Sequence, residues 1–141
     1  MSFTFKKNTE GINWVQVNRL LNGFGLTHDM PDETEYAFTH SAVVAFVLNG
    51  EQVIGCGRAL SDGIAQAAIY NIAVDEAYHD NKLGTKIIQM LLEDCKKCNV
   101  ILYTHPKTVK WYEKLGFRRM KTGMVLYHPD NIEEMEQMDF I

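Results

Sequence analysis

The sequence lacks the long hydrophobic run that a membrane-spanning helix requires. Such a helix needs about 20 consecutive, predominantly apolar residues, and no run approaching that length occurs among the 141 residues of the chain. The first ten residues, MSFTFKKNTE, also lack the apolar stretch of a secretory signal peptide. We therefore expect a protein without a membrane partner, located in the cytoplasm.

Cysteine is scarce, and an excess of positive charge is missing. Three cysteines fit a reducing compartment, and the C-x-x-C formed by Cys95 and Cys98 has no second Cys or His pair at zinc spacing. We expect no metal. The net charge of −4 argues against non-specific nucleic-acid binding, which depends on basic surfaces.

The composition is that of a folded domain. Hydrophobic residues make up 46% of the chain, enough to build a core, so disorder is not expected. A length of 141 residues fits one domain. We expect residues 1–141 to form that single domain.

A strand, a polar loop and a long helix over residues 66–98 organise the chain. Ala68–Val74 is apolar on both alternating faces, as in a central strand covered on both sides, and Asn71 is its strongly polar exception. The loop Asp75–Lys82 follows, and a helix is predicted to begin near Leu83. Its apolar stripe recurs every four residues, at Leu83, Ile87, Leu91 and Cys95.

The start of that helix is a candidate anion site. Free N–H groups and the positive end of the helix dipole lie beyond the end of the strand. Gly84 stands just inside the helix, where glycine costs about 1 kcal/mol relative to alanine. Either a ligand approaches the backbone there, or Gly84 merely lets the helix pack against its strand.

The remaining pattern predicts an α/β (α+β) fold, with a mixed and mostly antiparallel sheet flanked by helices. Asn49-Gly50 indicates a type I′ hairpin, and a helical crossover leads to a parallel strand. The predicted strands are Phe3–Lys6, Val43–Leu48, Val53–Leu60, Val100–Thr104, Phe117–Met120 and Met124–Tyr127. The predicted helices are Trp14–Asn22, Glu33–Ser41 and Lys107–Leu115, and the tail Pro129–Ile141 is either a short helix or loose.

Two motifs resemble the GNAT (GCN5-related) N-acetyltransferase family. VDEAYHDNKLGTKII is similar to the acetyl-CoA loop of that family, Gln/Arg-x-x-Gly-x-Gly/Ala, although His79 replaces Gln/Arg, Lys82 replaces the first Gly, and only Gly84 keeps its glycine. WYEKLGF, Trp111–Phe117, resembles a second family motif. The resemblance covers about residues 40–128 and is nearest to the small arylalkylamine or serotonin-type acetyltransferases.

The resemblance implies the GNAT acyl-CoA N-acyltransferase fold, in which the central parallel strand pair splays and acetyl-CoA lies in the gap. Backbone N–H groups from His79 to Thr85 would hold the diphosphate, with Lys86 adding charge and Asp80 either repelling phosphate or capping the helix. Ile72 and Val74 would pair with the pantetheine amides, and an N–H near Ala73 would stabilise the oxyanion. The implied cofactor-binding residues are therefore Ile72, Ala73, Val74, His79, Asp80, Asn81, Lys82, Leu83, Gly84, Thr85 and Lys86.

For catalysis, the resemblance assigns protonation of the leaving thiolate to Tyr112, because a phenol with a pKa near ~10 is neutral at pH 7. Trp111 and Phe117 are expected in the core. The base is less defined: Asn71 would orient a water, and Tyr70, His105 or an acidic loop residue would complete the relay. His105 is a residue type that exchanges protons near neutral pH, and its alternative role is to cap the following helix.

The expected function is direct transfer of an acetyl group from acetyl-CoA to a primary amine of a small molecule. Acidic residues at 29–35 would suit a cationic amine, or form a solvated loop. A peptide N-terminus or lysine is the alternative acceptor. A degenerate domain that binds acyl-CoA without catalysis is the alternative function. Domains of this family often pair through their C-terminal strands, so the resemblance allows a homodimer.

Overall fold

Strand pairing organises the larger part of the chain. The computed structural model describes residues 2–141, which divide into two compact units, one ending at Leu102 and the other formed by Tyr103–Ile141. In the first unit the strands are β1 Phe3–Lys6, β2 Val43–Asn49, β3 Gln52–Ser61, β4 Gln66–Val74 and β5 Asn99–Ile101. Its helices are α1 Trp14–Gly23, α2 Pro31–Thr39 and α3 Leu83–Glu93, with a 3₁₀ helix at Glu76–Asn81.

The sheet order is β1-β2-β3-β4-β5, and each strand pairs antiparallel with the next except for the parallel pair β4–β5. The predicted class, a mixed and mostly antiparallel sheet flanked by helices, is confirmed. The parallel pairing stops at Ala68 and Ile101, whereas β4 continues to Val74. Within residues 2–141, no strand pairs with that edge of β4 beyond Ala68, so the two parallel strands share only the start of β4.

Helices cover both faces of this sheet because the side chains of β3 alternate. Cys56 lies in a core cluster with Val17 of α1 and Phe38 of α2. Gly57 faces the opposite way: a Cβ there would stand 2.7 Å from Ile87 of α3. The layers are therefore α1 and α2, then the sheet, then α3.

Local sequence signals explain the helix ends. The Asn13 side chain accepts the Gln16 N–H at the start of α1, as the side chain of an N-cap residue does. Helix α2 begins at Pro31, two residues before the predicted start, because proline suits the first helical position. The predicted start of α3 at Leu83 is confirmed.

Two turns differ from the predictions. The β2–β3 hairpin turns through Gly50-Glu51, since Asn49 pairs with Gln52, and the positive φ falls on Gly50. Glycine with positive φ at the first central position is typical of a type II′ turn, so the type I′ prediction at Asn49-Gly50 is wrong. The predicted polar loop Asp75–Lys82 contains a 3₁₀ helix whose first turn is capped by the Asp75 carboxylate.

The second unit contains a 3₁₀ turn Pro106–Thr108 and the helices α4 Val109–Lys114 and α5 Pro129–Gln137. The predicted strand Val100–Thr104 ends at Ile101. The predicted strands Phe117–Met120 and Met124–Tyr127 are not formed. Alternating apolar residues become a strand only where a partner strand pairs with them, and among the described residues of this unit none does.

Replacing Gly57 with alanine should destabilise the first unit. The added Cβ would lie 2.6 Å from Ile72 Cδ1 and 2.7 Å from Ile87 Cγ2, so α3 would have to shift. We expect Gly57→Ala to lower the free energy of unfolding by about 1–3 kcal/mol, measured by urea denaturation. Gly23→Ala is the control, because nothing lies within 4 Å of a Cβ there. Equal effects of the two variants would contradict this packing.

Candidate functional site

The amino-terminal end of α3 is open. The N–H groups of the first helical residues, Leu83, Gly84 and Thr85, have no acceptor within their own helix. No side-chain hydrogen bond from the described residues, 2–141, caps this end, so the alternative in which Asp80 caps the helix is wrong. The result is an uncapped positive helix end close in sequence to the carboxyl end of β4.

Lys82 holds the bend that leads into α3. It has φ 56°, in the left-handed region, which glycine adopts without steric cost. This is the position at which the acetyl-CoA loop pattern has its first glycine, so the bend is kept although the residue is lysine. The other loop cation, Lys86, lies with Nζ 5.6 Å from the Phe5 ring centroid.

His79 is engaged with the strand end. Its Nε2 lies 2.7 Å from the Val74 carbonyl oxygen, and its ring stacks on Phe24 at 6.0 Å. Because a carbonyl accepts, Nε2 carries the proton, and a neutral His79 presents only a lone pair at Nδ1. Donation from His79 to a phosphate would thus require the imidazolium form. Asp80 and Asn81 are exposed beside it.

Strand β4 contains an irregularity at Asn71. The β3–β4 register shifts between Cys56 and Arg58, and Asn71 has φ 60°, which is uncommon for a residue other than glycine. Such a bulge turns backbone and side chains out of the regular alternation. Tyr70 and Asn71, although consecutive, therefore both contact Arg58.

Arg58 is the residue beside this bulge that sequence reasoning missed. Its Nε donates to Asn71 Oδ1 at 2.5 Å and its Nη1 to Ser41 Oγ at 3.3 Å. Its guanidinium lies 5.8 Å from the Phe38 ring centroid and 5.3 Å from that of Tyr70. The available signal was a charge inside the apolar strand pattern VIGCGRAL.

Two further effects follow at this bulge. Asn71 Oδ1 is occupied by Arg58, so the amide nitrogen is the part of Asn71 that remains to orient a water. Burial raises the pKa of the Cys56 thiol to about 12, against smaller lowering effects of the Ala73 backbone and Arg58. Cys56 is therefore a neutral thiol at pH 7 and a poor nucleophile.

Tyr112 lies in an aromatic cluster of the second unit, with ring centroids 4.8 Å from Trp111 and 5.7 Å from Phe117. All three are half-buried. Burial raises the pKa of Tyr112 to about 12, and a hydrogen bond with Thr104 lowers it in part. The phenol is therefore protonated at neutral pH, as a general acid must be.

His105 caps the 3₁₀ turn at Pro106. Its Nδ1 accepts the Lys107 N–H at 3.1 Å, so a neutral ring carries its proton on Nε2. Its ring also contacts Phe140 edge-on at 5.7 Å. The alternative role as a helix cap is thus present, and His105 can accept a proton only by releasing this hydrogen bond.

The acidic segment near α2 serves local structure. Glu33 Oε1 accepts the Met30 N–H, and Asp32 Oδ1 accepts that of Glu33, which stabilises the positive helix end. Across residues 2–141, no group of three His, Cys, Asp or Glu side chains is placed to hold a metal ion. The same residues include no helix long and apolar enough to cross a membrane.

Comparison with known proteins gives the family. The sequence profile of the acetyltransferase (GNAT) family matches residues 14–117. The chain belongs to this family, a class of acyltransferases. An acetyltransferase of the GNAT family from Streptococcus pneumoniae TIGR4 has the same fold, with a TM-score of 0.77, 26% identity, and coverage of 91% of this chain and 99% of that one.

Two plant proteins are similar in sequence. GCN5-related N-acetyltransferase 1, chloroplastic, of Arabidopsis thaliana is 28% identical over 120 residues. Serotonin N-acetyltransferase 2, chloroplastic, of Oryza sativa subsp. japonica is 23% identical over 122 residues. Each match covers 82% of this chain but 61% of the relative, so the chain spans less than two thirds of the length of these curated relatives.

The structure groups the predicted site residues in two sets. Ile72, Ala73 and Val74 at the end of β4 lead directly through the 3₁₀ helix to the open end of α3. Asn71 joins this set and brings Arg58 with it. Tyr112 and His105 belong to the second unit, where the Thr104 and Thr108 hydroxyls, 2.6 Å apart, link the neighbourhoods of both residues.

The ionisation of Tyr112 should be visible in a titration. The pKa of Tyr112 is about 12 in the folded protein and near ~10 for an ordinary tyrosine. Below pH ~10 the phenol is neutral in both the folded and the unfolded state. As the pH rises from ~10 towards 12, it ionises more readily in the unfolded chain, so the free energy of unfolding falls. We expect the tyrosinate absorbance of wild type minus Tyr112→Phe to stay near zero at pH ~10 and to rise towards 12. A difference curve with its midpoint at the ordinary value would contradict the burial.

Proposed function

We propose that this chain is a single-domain N-acetyltransferase that moves an acetyl group from acetyl-CoA directly to the primary amine of a small molecule. The observation that carries the proposal is the uncapped end of α3 beside the edge of β4, with which no strand of residues 2–141 pairs beyond Ala68. The uncapped helix end suits a diphosphate. The unpaired edge of β4 suits an extended chain of amides, which can pair with it as a further strand would.

The strand edge offers backbone groups for pantetheine. The Asp75 N–H donates to the Ile54 carbonyl, so Asp75 points towards β3. Because backbone groups alternate along a strand, those of Val74 point to the open edge. Its carbonyl is the one that His79 contacts, which leaves the Val74 N–H and the groups of Ile72 for the cofactor.

The diphosphate would lie against the N–H groups of Leu83, Gly84 and Thr85, with Lys82 and Lys86 adding positive charge. Asp80 opposes this attraction from an exposed position. When bound, acetyl-CoA supplies the thioester. The residues of this chain hold it, place an N–H from the Ala73 region near the carbonyl oxygen, and provide a proton for the leaving thiolate.

Direct transfer is favoured over a covalent acetyl-enzyme by the state of Cys56. Its thiol lies beside the bulge, with Sγ 3.5 Å from the Asn71 carbonyl oxygen, yet burial keeps it protonated. The proton for the leaving thiolate comes from Tyr112, whose phenol is neutral for the same reason. Asn71 and His105 remain the proposed path for the proton of the amine, through water.

The acceptor amine, the oligomeric state and the cellular location are proposals that go further than the family assignment. The small-amine acceptor is supported by the rice relative, whose name refers to serotonin. A peptide amine, or acyl-CoA binding without catalysis, would be the outcome if no small amine reacts. A homodimer and a cytoplasmic location stay predictions, and both plant relatives are named chloroplastic.

Reversing the charge of Lys82 should weaken coenzyme A binding. Lys82→Glu would place a carboxylate beside the diphosphate at the open helix end, and we expect the Kd from isothermal titration calorimetry to rise roughly tenfold. Lys97→Glu makes the same change of net charge beyond the other end of α3 and should alter the Kd by less than about twofold. Equal effects of the two variants would place the diphosphate elsewhere.

Removing the Tyr112 hydroxyl tests the general acid. We expect Tyr112→Phe to lower kcat by about 100-fold or more, with the Kd for coenzyme A unchanged, in an assay of thiol release from acetyl-CoA across a panel of amines. Tyr127→Phe, which removes a hydroxyl from the same unit, should keep kcat within about threefold. Full activity of Tyr112→Phe would end the assignment.

A further inference from the structure

Arg58 is a half-buried cation without an ion-pair partner. Arg58 takes part in none of the ion pairs described within residues 2–141, such as Lys7 with Asp94 or Arg119 with Glu113. Burial lowers its pKa, offset in part by Tyr70, Asp29 and Cys56, but a guanidinium stays charged in proteins. A charge withdrawn from water usually has a counter-charge.

The guanidinium keeps donors available. Nε and Nη1 donate to Asn71 and Ser41, whereas Nη2 has no acceptor among the described residues. In residues 2–141, every fully buried side-chain nitrogen or oxygen has a hydrogen-bond partner. Nη2 is therefore not fully buried, and it is the part of the guanidinium that remains to donate to a ligand.

The position of this cation is fixed. Its Cζ lies 5.8 Å from the ring centroid of Phe38 and 5.3 Å from that of Tyr70. Its Nε donates to Asn71, the residue with the left-handed backbone in β4. A guanidinium held in this way is preorganised for a planar, two-oxygen partner. It lies on the α1–α2 face of the sheet, directly beside the bulge of the candidate site.

We propose that Arg58 binds an anionic group of the acceptor, so that the substrates are amines that also carry a carboxylate or a phosphate. This inference rests on the proposed acetyltransferase function and narrows its substrate class. The acceptor's anion pairs with Nη1 and Nη2, which places the amine of the same molecule near Asn71 and Ala73. Carboxylate and phosphate share this chemistry, and the experiment separates them.

Asp29 is the carboxylate that would make a ligand unnecessary. It attracts Arg58 at a distance but forms no ion pair with it, and its backbone carbonyl is held by the Asn18 side chain at 2.8 Å. The other role for Arg58 is purely structural, as a support for Asn71. That role predicts no preference for an anionic acceptor, so substrate selectivity distinguishes the two.

Matched pairs of amines test the proposal. Phenylalanine and phenethylamine, or alanine and ethylamine, differ by a carboxylate, and O-phosphoethanolamine and ethanolamine differ by a phosphate. For each pair, kcat/KM is measured with wild type, Arg58→Gln, Arg58→Lys and the control Arg118→Gln, which removes an exposed arginine of the other unit. Comparing ratios within a pair between variants cancels the intrinsic reactivity of each amine.

We expect Arg58→Gln to lower kcat/KM for the anionic member of at least one pair by about 10- to 100-fold, as for loss of a charged hydrogen bond, and for the neutral member by less than about threefold. Arg58→Lys should retain part of the preference, and Arg118→Gln all of it. An equal loss for both members, or a wild-type preference for the neutral amines, would overturn the proposal. The pair that responds identifies carboxylate or phosphate.

Binding measurements keep this test separate from the proposed function. Calorimetry in the presence of coenzyme A compares N-acetylphenylalanine with N-acetylphenethylamine, and N-acetyl-O-phosphoethanolamine with N-acetylethanolamine, for wild type and Arg58→Gln. Tighter binding of an anionic product, lost in Arg58→Gln, supports anion recognition even if turnover is absent. Equal binding within both pairs overturns it. Failure of coenzyme A itself to bind refutes the acetyltransferase function, which the Lys82 comparison detects independently.

Discussion

The left-handed backbone of Asn71 in the middle of β4 is the constraint on which the site depends. A non-glycine residue in this region costs of order 1–3 kcal/mol and persists only where the surroundings fix it. Here the Arg58 guanidinium holds the Asn71 side chain, and Gly57 on the neighbouring strand leaves room for Ile72 and α3. The bulge at Asn71 therefore packs against α3 on one face of the sheet and against Arg58 on the other.

The parts of the fold that periodicity predicts are those that bury a continuous face. Leu83, Ile87 and Leu91 recur every four residues and all are buried in α3, and the three-strand meander follows from two short turns. The segments 117–120 and 124–127 show why the same reasoning fails elsewhere. Alternation indicates which face of a strand would be buried but not whether a partner strand exists, and Leu126 is 99% exposed.

The site was predictable where it depends on backbone and not where it depends on side-chain partners. A helix start after a strand end is a local property, so the start of α3 at Leu83 could be placed from sequence alone. The contact of His79 with Val74 decides which histidine nitrogen carries the proton, and no sequence pattern contains that contact. Arg58 was missed because its proposed role follows from the lack of an ion-pair partner among the described residues, and the sequence does not show which charges pair in the folded protein.

The acidic residues at 29–35 and Arg58 place charges of opposite sign near the sheet. The acidic residues at the start of α2 interact with the backbone of their own helix, whereas the charge held against β4 is that of Arg58. A cation beside an acceptor amine raises the free energy of the ammonium form relative to the free base. Arg58 would favour the free base in this way most strongly while no anion is paired with it, because a bound anion compensates most of the charge. This effect connects two features of the chain that otherwise look unrelated: an amide at Asn71, where a base would be expected, and an arginine on the adjacent strand.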